Sequence, residues 1–200
     1  MKCFFKLFTV ILFFIPFFVQ GFSLRVLCYH NIVVTPKYNI DVSVKDFEEQ
    51  MAYLYQENVI SLTASELVEL LKNPQAEKKN QTYVVITFDD GNNGVYAHAM
   101  PILKKYGIKA TFYIYPTIID SRERGQRKSF MTWAQIKELV SIPGFELGCH
   151  SYYHPYLTKE TDQGIILNTK KAQEVLEKKT GQKALTFAYP FGSYNQKVID

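Results

Sequence analysis

Six short apolar runs, separated by segments with helical patterns, constrain the fold of this 200-residue chain more than any other feature. The runs stay apolar at successive positions and do not alternate with polar residues, as expected for strands that are buried on both faces. We predict strands at residues 24–29, 59–61, 83–88, 110–115, 145–149 and 185–188. Strands that alternate with helices in this way predict an α/β fold with a parallel sheet.

The segments between these runs carry recognisable helix starts and ends. A capping residue followed three positions later by an acidic residue or Gln predicts a helix N-terminus. Three such pairs occur: Ser43 with Asp46, Thr63 with Glu66, and Thr132 with Gln135. Gly107 and Gly181 are predicted to end helices. The polar segment 75–81 and the charged segment 121–128 are predicted to be surface loops.

The first 23 residues are typical of a signal peptide. Lys2 and Lys6 precede an apolar stretch at 7–19, and residues 19–21 are permissive for cleavage. The stretch is shorter than the about 20 apolar residues that a spanning helix needs. We therefore expect a secreted, periplasmic or cell-envelope protein with no stable membrane span after cleavage. An uncleaved membrane anchor is the alternative.

Export of the chain bears on its charge and its cysteines. Without Lys2 and Lys6 the chain has 21 basic and 19 acidic residues, a net charge of +2. That balance does not support nucleic-acid binding by a basic face. Cys28 and Cys149 remain, and each lies in an apolar run, so we predict buried free thiols and a fold that does not depend on disulfides.

Polar residues follow several of the predicted strands. Asp89 and Asp90 follow one strand, His150 follows a second, and Tyr189 follows a third. In a (β/α) barrel the active site lies at the carboxyl ends of the strands, so this placement favours a barrel over a doubly wound sheet. A complete barrel needs about 250 residues, and we therefore predict a reduced one.

These residue types predict metal-assisted hydrolysis. An Asp-Asp-Gly alone is weak, because Asp and Gly are ordinary turn residues after a strand. His150 and His154 are a stronger signal, since this spacing lets two imidazoles converge on one ion. What favours the site is that three of the four histidines and the one Asp-Asp pair all fall at strand ends. The fourth, His98, lies in a predicted helix and is interpreted as a bystander.

Three strings together resemble a known family. Thr87-Phe88-Asp89-Asp90-Gly91, the segment 150–155 (HSYYHP) and the segment 189–192 (YPFG) are similar, in order and spacing, to the first three motifs of the polysaccharide deacetylases, carbohydrate esterase family 4. The resemblance implies a distorted (β/α) barrel, a divalent metal and removal of acetyl groups from N-acetylated glycans. It implies that Asp89 is the base, that Asp90, His150 and His154 bind the metal, and that the backbone N–H of Tyr189 binds the oxyanion.

Two departures narrow this assignment. The third motif of the family has an Arg ahead of its Pro, whereas residues 186–190 read TFAYP. The catalytic His of most members lies near the C-terminus, beyond the end of this sequence. The segment 27–32 (LCYHNI) resembles the Tyr-His motif of the circularly permuted poly-β-1,6-N-acetylglucosamine deacetylases, which implies that His30 is the acid. A strand-end His that caps a carbonyl is the alternative.

The sequence therefore predicts one polysaccharide deacetylase domain at residues 24–200, expected to be incomplete at its C-terminal end. The expected substrate is an N-acetylglucosamine polysaccharide, with poly-β-1,6-N-acetylglucosamine favoured. Chitin oligomers, peptidoglycan, O-acetyl xylan and a non-catalytic glycan-binding role are the alternatives. Two His and one Asp suit zinc, nickel, cobalt or iron almost equally. Tyr152, Tyr153 and Trp133 are candidates for stacking on sugar rings or for packing.

Overall fold

A parallel β-sheet forms the centre of the protein. The computed structural model describes residues 23–73 and 81–200. The sheet strands are β1 (Ser23–Tyr29), β4 (Ile60–Leu62), β5 (Thr82–Asp89), β6 (Ala110–Ile114) and β7 (Phe145–Cys149). Two short strands, β2 (Asn31–Val33) and β3 (Asp41–Ser43), form a separate parallel pair.

The strand β5 organises the sheet because it is the longest and its interior is fully buried. One edge of β5 pairs along its length with β1, from Ser23↔Thr82 to Tyr29↔Phe88. The opposite edge is divided between two neighbours: β4 pairs with residues 83–85, and β6 pairs with residues 87–89. The strand β7 then pairs with β6. The carboxyl ends of β1, β5, β6 and β7 therefore meet at one edge of the sheet.

The helices lie between these strands in sequence. Their bounds are α1 (Val44–Gln56), α2 (Ala64–Lys72), α3 (Met100–Tyr106), α4 (Pro116–Glu123), α5 (Trp133–Val140), α6 (Asp162–Ile166), α7 (Ala172–Thr180) and α8 (Gln196–Ile199). Two π-helical segments, Val95–Ala99 and Leu167–Lys171, lead into α3 and α7. The three predicted N-caps at Ser43, Thr63 and Thr132 are confirmed, the last two as full capping boxes. Gly107 and Gly181 end α3 and α7 in the left-handed conformation, as predicted.

The predicted α/β fold with parallel strands is confirmed, and two local predictions are wrong. Among the described residues β1 and β7 do not pair, so the strands form an open sheet, as in a reduced barrel. Residues 185–188 form one bridge, Cys149↔Phe187, and no regular strand. Leu185 is 72% exposed there, so its side chain contributes little to the core. The helix α4 extends to Glu123, into the segment 121–128 that was predicted to be a loop. Nearly all of the other predicted loop, 75–81, lies outside the described residues.

The hydrophobic core lies between the sheet and its helices. Its centre is a series of aromatic contacts in which Phe88 stacks on Phe112 and on Tyr29, while Phe47 of α1 meets Tyr29 and Phe88 edge-on. Such pairs add about 0.5–1.5 kcal/mol each beyond the burial of their surface. These rings hold β1, β5 and β6 together directly beneath the polar edge.

Cys28 and Cys149 are free thiols, as predicted; Cys149 is fully buried, whereas Cys28 is only half-buried, contrary to the prediction that both are buried. The helices of the described residues include none that is both long enough and apolar enough to span a membrane. Ser23, which the sequence analysis placed at the end of the signal peptide, pairs with Thr82 at the start of β1. Residues 1–22 lie outside the described part of the chain.

Candidate metal centre

The first carboxylate pair lies where β5 ends. Asp89 is the last residue of the strand, and Asp90 adopts a positive φ of 73°. A non-Gly residue in this region is uncommon and is typical of functional sites. Gly91 continues the turn with φ 84°, and a Cβ there would lie 3.1 Å from Ile114 Cδ1. The turn therefore needs Gly at this position. The turn also points the side chains of Asp89 and Asp90 in different directions.

The two histidines lie in the loop that follows β7. His150 is buried, and His154 adopts φ 61°. The turn between them is closed by a hydrogen bond from the backbone N–H of His154 to Ser151 Oγ, 2.9 Å. Neighbouring elements anchor the same loop: Thr117 of α4 donates to the carbonyl of Tyr152, and Asn168 accepts from the N–H of Tyr153. Contacts with neighbouring elements therefore fix the positions of both imidazole rings, although both residues lie in a loop.

Asp90, His150 and His154 converge as predicted. One ligand atom from each lies within 4.8 Å of the other two. The Oδ1 atom of Asp90 lies 3.3 Å from Nε2 of His154 and 3.6 Å from Nε2 of His150. The same oxygen is buried and receives no hydrogen bond from the described residues. A buried carboxylate oxygen without a donor, facing two imidazoles, fits a divalent cation.

His150 is held in the tautomer that a metal ligand needs. Its Nδ1 lies 2.8 Å from the carbonyl oxygen of Ala188, and a carbonyl can only accept, so Nδ1 carries the proton. The lone pair is therefore on Nε2, which faces His154 at 3.1 Å. Burial, and next the proximity of His154, lowers the pKa of His150 to about 3. The ring is neutral at neutral pH, and its contacts with Asp89 and Asp90 are not ion pairs.

Asp89 has the environment of a proton acceptor. Burial, and next the neighbouring Asp90, raises the pKa of its carboxyl to about 7. Its Oδ2 accepts from the thiol of Cys28 at 3.5 Å and lies 3.9 Å from His150 Nε2. Its Oδ1 is buried and receives no hydrogen bond from the described residues. A general base works best when its pKa is near the working pH, so this environment suits that role.

His30 joins the same edge from β1. It directly follows the strand, and its backbone carbonyl accepts from Asn92 Nδ2 at 3.1 Å, which ties the end of β1 to the turn after Asp90. A ring nitrogen of His30, the sulfur of Cys28 and a carboxylate oxygen of Asp89 lie within 4.8 Å of one another. The structure thus brings His30 close to Asp89.

The segment 186–190 contributes backbone groups to the site and has no cationic side chain. Ala188 lies in the segment 186–190, which lacks the Arg found ahead of the Pro in the family motif, and the carbonyl of Ala188 orients His150. Its N–H donates to the carbonyl of Cys149, which docks the segment on the end of β7. The N–H of Tyr189 donates to no acceptor among the described residues. It is therefore free to bind an oxyanion one residue away from the carbonyl that holds His150.

The aromatic residues that were candidates for stacking on sugar rings fit that prediction only in part. Trp133 packs in the core, 7% exposed, with Nε1 donating to Asp120, so it is not a stacking residue. Tyr153 is exposed as a stacking residue requires. Phe191 was not predicted as a stacking residue; it is 56% exposed, stacks on Tyr156 with centroids 4.1 Å apart and meets His154 edge-on. Its positive φ of 60° is set by the turn of segment 189–192 and carries no sequence signal of its own.

His98 is half-buried in the π-helical segment that precedes α3, away from these groups, as expected of a bystander.

Comparison with known proteins agrees with this geometry. The family model for polysaccharide deacetylase matches residues 76–200, a range that contains Asp89, Asp90, His150 and His154 but not His30. A putative polysaccharide deacetylase, YxkH of Bacillus subtilis, is 30% identical over 177 residues, which is 88% of this chain and 60% of that protein. A poly-beta-1,6-N-acetyl-D-glucosamine N-deacetylase of Staphylococcus aureus is 28% identical over 169 residues, 80% of this chain and 57% of that protein. The chain spans about 60% of the length of these curated relatives.

Solved structures share the fold. The deacetylase PplD of Streptococcus pyogenes, in complex with acetate, superposes with a TM-score of 0.79 at 29% identity, over 90% of this chain and 79% of that one. IcaB from Ammonifex degensii superposes with a TM-score of 0.75 at 29% identity, over 90% of this chain and 78% of that one.

Proposed function

Because this chain belongs to the polysaccharide deacetylase family, we propose that it hydrolyses N-acetyl groups of an N-acetylglucosamine polysaccharide in a metal-dependent reaction. One observation carries the proposal: an Asp, His, His cluster lies beside a buried carboxylate and a further histidine at one edge of the sheet. The cluster supplies three ligands for an ion, and the other two side chains supply a base and an acid.

Asp90, His150 and His154 would hold the ion. A divalent cation held there would polarise the acetyl carbonyl and lower the pKa of a bound water. The Nδ1–H of His150 stays on the carbonyl of Ala188, which keeps Nε2 available as a ligand. Zinc, nickel, cobalt and iron all suit this donor set.

Asp89 accepts the proton of the attacking water. Its carboxylate is the buried acceptor next to the ligand cluster, 3.9 Å from His150 Nε2, and one of its oxygens is free of donors among the described residues. The N–H of Tyr189 donates to the oxyanion of the tetrahedral intermediate. Backbone donors are suited to this because their position is fixed before the charge develops.

His30 donates a proton to the departing sugar nitrogen. An amine leaves poorly without protonation, so the reaction requires an acid on the leaving-group side. The ring of His30 reaches within 4.8 Å of Asp89 from the neighbouring strand, and no hydrogen bond occupies it among the described residues. The proximity of the two side chains at the ends of the paired strands β1 and β5 supports this pair of roles.

Two observations favour poly-β-1,6-N-acetylglucosamine as the substrate. The Staphylococcus aureus relative at 28% identity bears that substrate in its name, and the His30 segment resembles the motif of the permuted deacetylases. Exposed Phe191, Tyr156 and Tyr153 next to His154 supply faces on which sugar rings stack.

We also propose export to the cell envelope or beyond, on the basis of the sequence pattern at 1–23.

Acetate release from a panel of glycans tests the proposal. The panel contains poly-β-1,6-N-acetylglucosamine, chitin oligomers, peptidoglycan and O-acetyl xylan, each with the purified protein and with Asp89→Asn as the matched control. We expect the fastest release from the β-1,6-linked polymer and about 100-fold or greater loss in the variant. Faster release from another glycan would reassign the substrate. Glycan binding without acetate release from any of them would indicate a non-catalytic protein.

A further inference from the structure

A second cluster of metal-ligating side chains lies beside the Asp90 cluster. Cys28 and His30 are two residues apart on β1 and its continuation, so their side chains leave the same face. Cys28 pairs with Thr87 of β5, and Asp89 lies two residues beyond Thr87 on that face. The sulfur of Cys28, a ring nitrogen of His30 and an oxygen of Asp89 lie within 4.8 Å of one another. We call these three residues the thiol cluster.

The hydrogen bonds of the thiol cluster leave ligand atoms available to a cation. Cys28 donates to Asp89 Oδ2 at 3.5 Å, a long and weak hydrogen bond. The other oxygen of Asp89 is buried and receives no hydrogen bond from the described residues. The ring of His30 forms none with them either. The three potential metal ligands thus face one another without hydrogen-bond partners that would satisfy them. A buried carboxylate oxygen that receives no hydrogen bond favours a positive charge nearby.

We propose that the thiol cluster is a second metal site, selective for thiophilic divalent cations such as Zn²⁺, Cd²⁺ and Co²⁺. Sulfur, imidazole and carboxylate are the ligands of Zn²⁺, and three protein ligands with one solvent position make a tetrahedral site. The Asp90 cluster holds no sulfur, so the two sites differ in softness and in the ions they favour. When the ion binds, the sulfur–metal bond forms and the thiol proton leaves to solvent.

An ion at this position would inhibit turnover, an effect that rests on the proposed function. Asp89 is the proposed base and His30 the proposed acid. A cation bound to both residues would occupy the lone pairs through which they exchange protons, so neither could take part in catalysis. The carboxylate of Asp89 lies between the two clusters, with Oδ2 3.5 Å from Cys28 Sγ and 3.9 Å from His150 Nε2. The first equivalent of zinc is therefore expected to activate the protein, and excess zinc to inhibit it.

Cobalt absorption detects the thiol cluster without any turnover. The metal-free protein is titrated with Co²⁺, and the near-ultraviolet thiolate-to-cobalt charge-transfer band is followed together with the bound cobalt per chain. We expect two ions per chain, with the band appearing during the second equivalent. Cys28→Ser should bind one ion and show no band. Cys149→Ala is the matched control and should retain the band, because Cys149 is not one of the three residues of the thiol cluster.

Zinc inhibition provides the second readout, with each variant compared with its own activity at one equivalent of zinc. The zinc concentration for half-inhibition should rise at least about tenfold in Cys28→Ser, the lower end of what the loss of a metal-site partner costs. No band at excess cobalt, or a band that persists in Cys28→Ser, would overturn the proposal. The two proposals fail separately: an inactive protein with the Cys28-dependent band refutes the deacetylase assignment alone, and an active protein without the band refutes the thiol cluster alone.

Discussion

Replacement of His30 separates its role as an acid from a structural role. His30→Ala removes the one imidazole that reaches Asp89 from β1. The other nearby proton donor on that strand is Cys28, and burial, together with the charge of Asp89, raises the pKa of its thiol to about 12. That thiol is too weak an acid to protonate an amine leaving group at neutral pH. Asp89 remains as a substitute after it has taken the water proton, so some activity should survive.

The expected loss follows from these alternatives. General acid catalysis contributes about 10²–10⁴-fold, so we expect at least about a 100-fold loss of kcat/KM on an N-acetylglucosamine oligomer, or about 2.7 kcal/mol of transition-state stabilisation. An activated aryl acetate has a leaving group that departs without a proton, and its hydrolysis should fall far less. His30→Gln is the matched control: it keeps a polar side chain, but its amide cannot give up a proton to an amine at neutral pH, so it should behave as His30→Ala does.

Acetate release from the oligomer and absorbance of the released phenol measure the two reactions. Equal losses on both substrates would exclude His30 as the acid, since they would mean that His30 supports the metal site or the end of β1. A matching fall in bound metal in the variant would point to the same conclusion.

Three further changes test other parts of the structure. Asp89→Asn should keep its bound metal, measured by elemental analysis, and lose turnover, because the amide cannot accept a proton; loss of the ion would mean that Asp89 is a ligand. Gly148→Ala should lower the free energy of unfolding by about 1–3 kcal/mol in urea, because the new Cβ would lie 2.3 Å from the ring of Tyr113; an unchanged midpoint would contradict this packing. Thr132→Ala should lower the free energy of unfolding by about 1 kcal/mol because it removes the cap of α5, whereas Thr132→Ser should lower it little; equal losses of stability in the two variants would show that the cap is not the cause.

Local signals were sufficient to predict much of the fold. Continuous apolar runs predict buried parallel strands because both faces of such a sheet are covered, and β5 and β7 follow the runs closely. Capping residues predict α1, α2 and α5 because the first N–H groups of a helix need acceptors. The convergence of Asp90, His150 and His154 was predictable because the carboxyl ends of parallel strands meet at one edge.

Other features depend on packing that a local pattern does not encode. Leu185 belongs to an apolar run, yet its side chain is 72% exposed and the segment pairs with β7 through one bridge. The charged residues at 121–123 extend α4, where Glu123 accepts from the N–H of Trp133. The stacking of Phe191 on Tyr156 joins residues 35 positions apart, and the contact between Cys28 and Asp89 joins neighbouring strands. Such contacts follow from register and turn geometry.

Chelation followed by metal add-back tests whether the reaction depends on a bound ion. The purified protein is stripped with a chelator, its metal content is measured, and acetate release from N-acetylglucosamine oligomers is followed as one ion is restored. We predict no release in the metal-free protein, recovery with the first equivalent, and no recovery in Asp90→Asn or His154→Ala, because each lacks one of the three ligands. Full acetate release by protein shown to contain no metal would contradict the account.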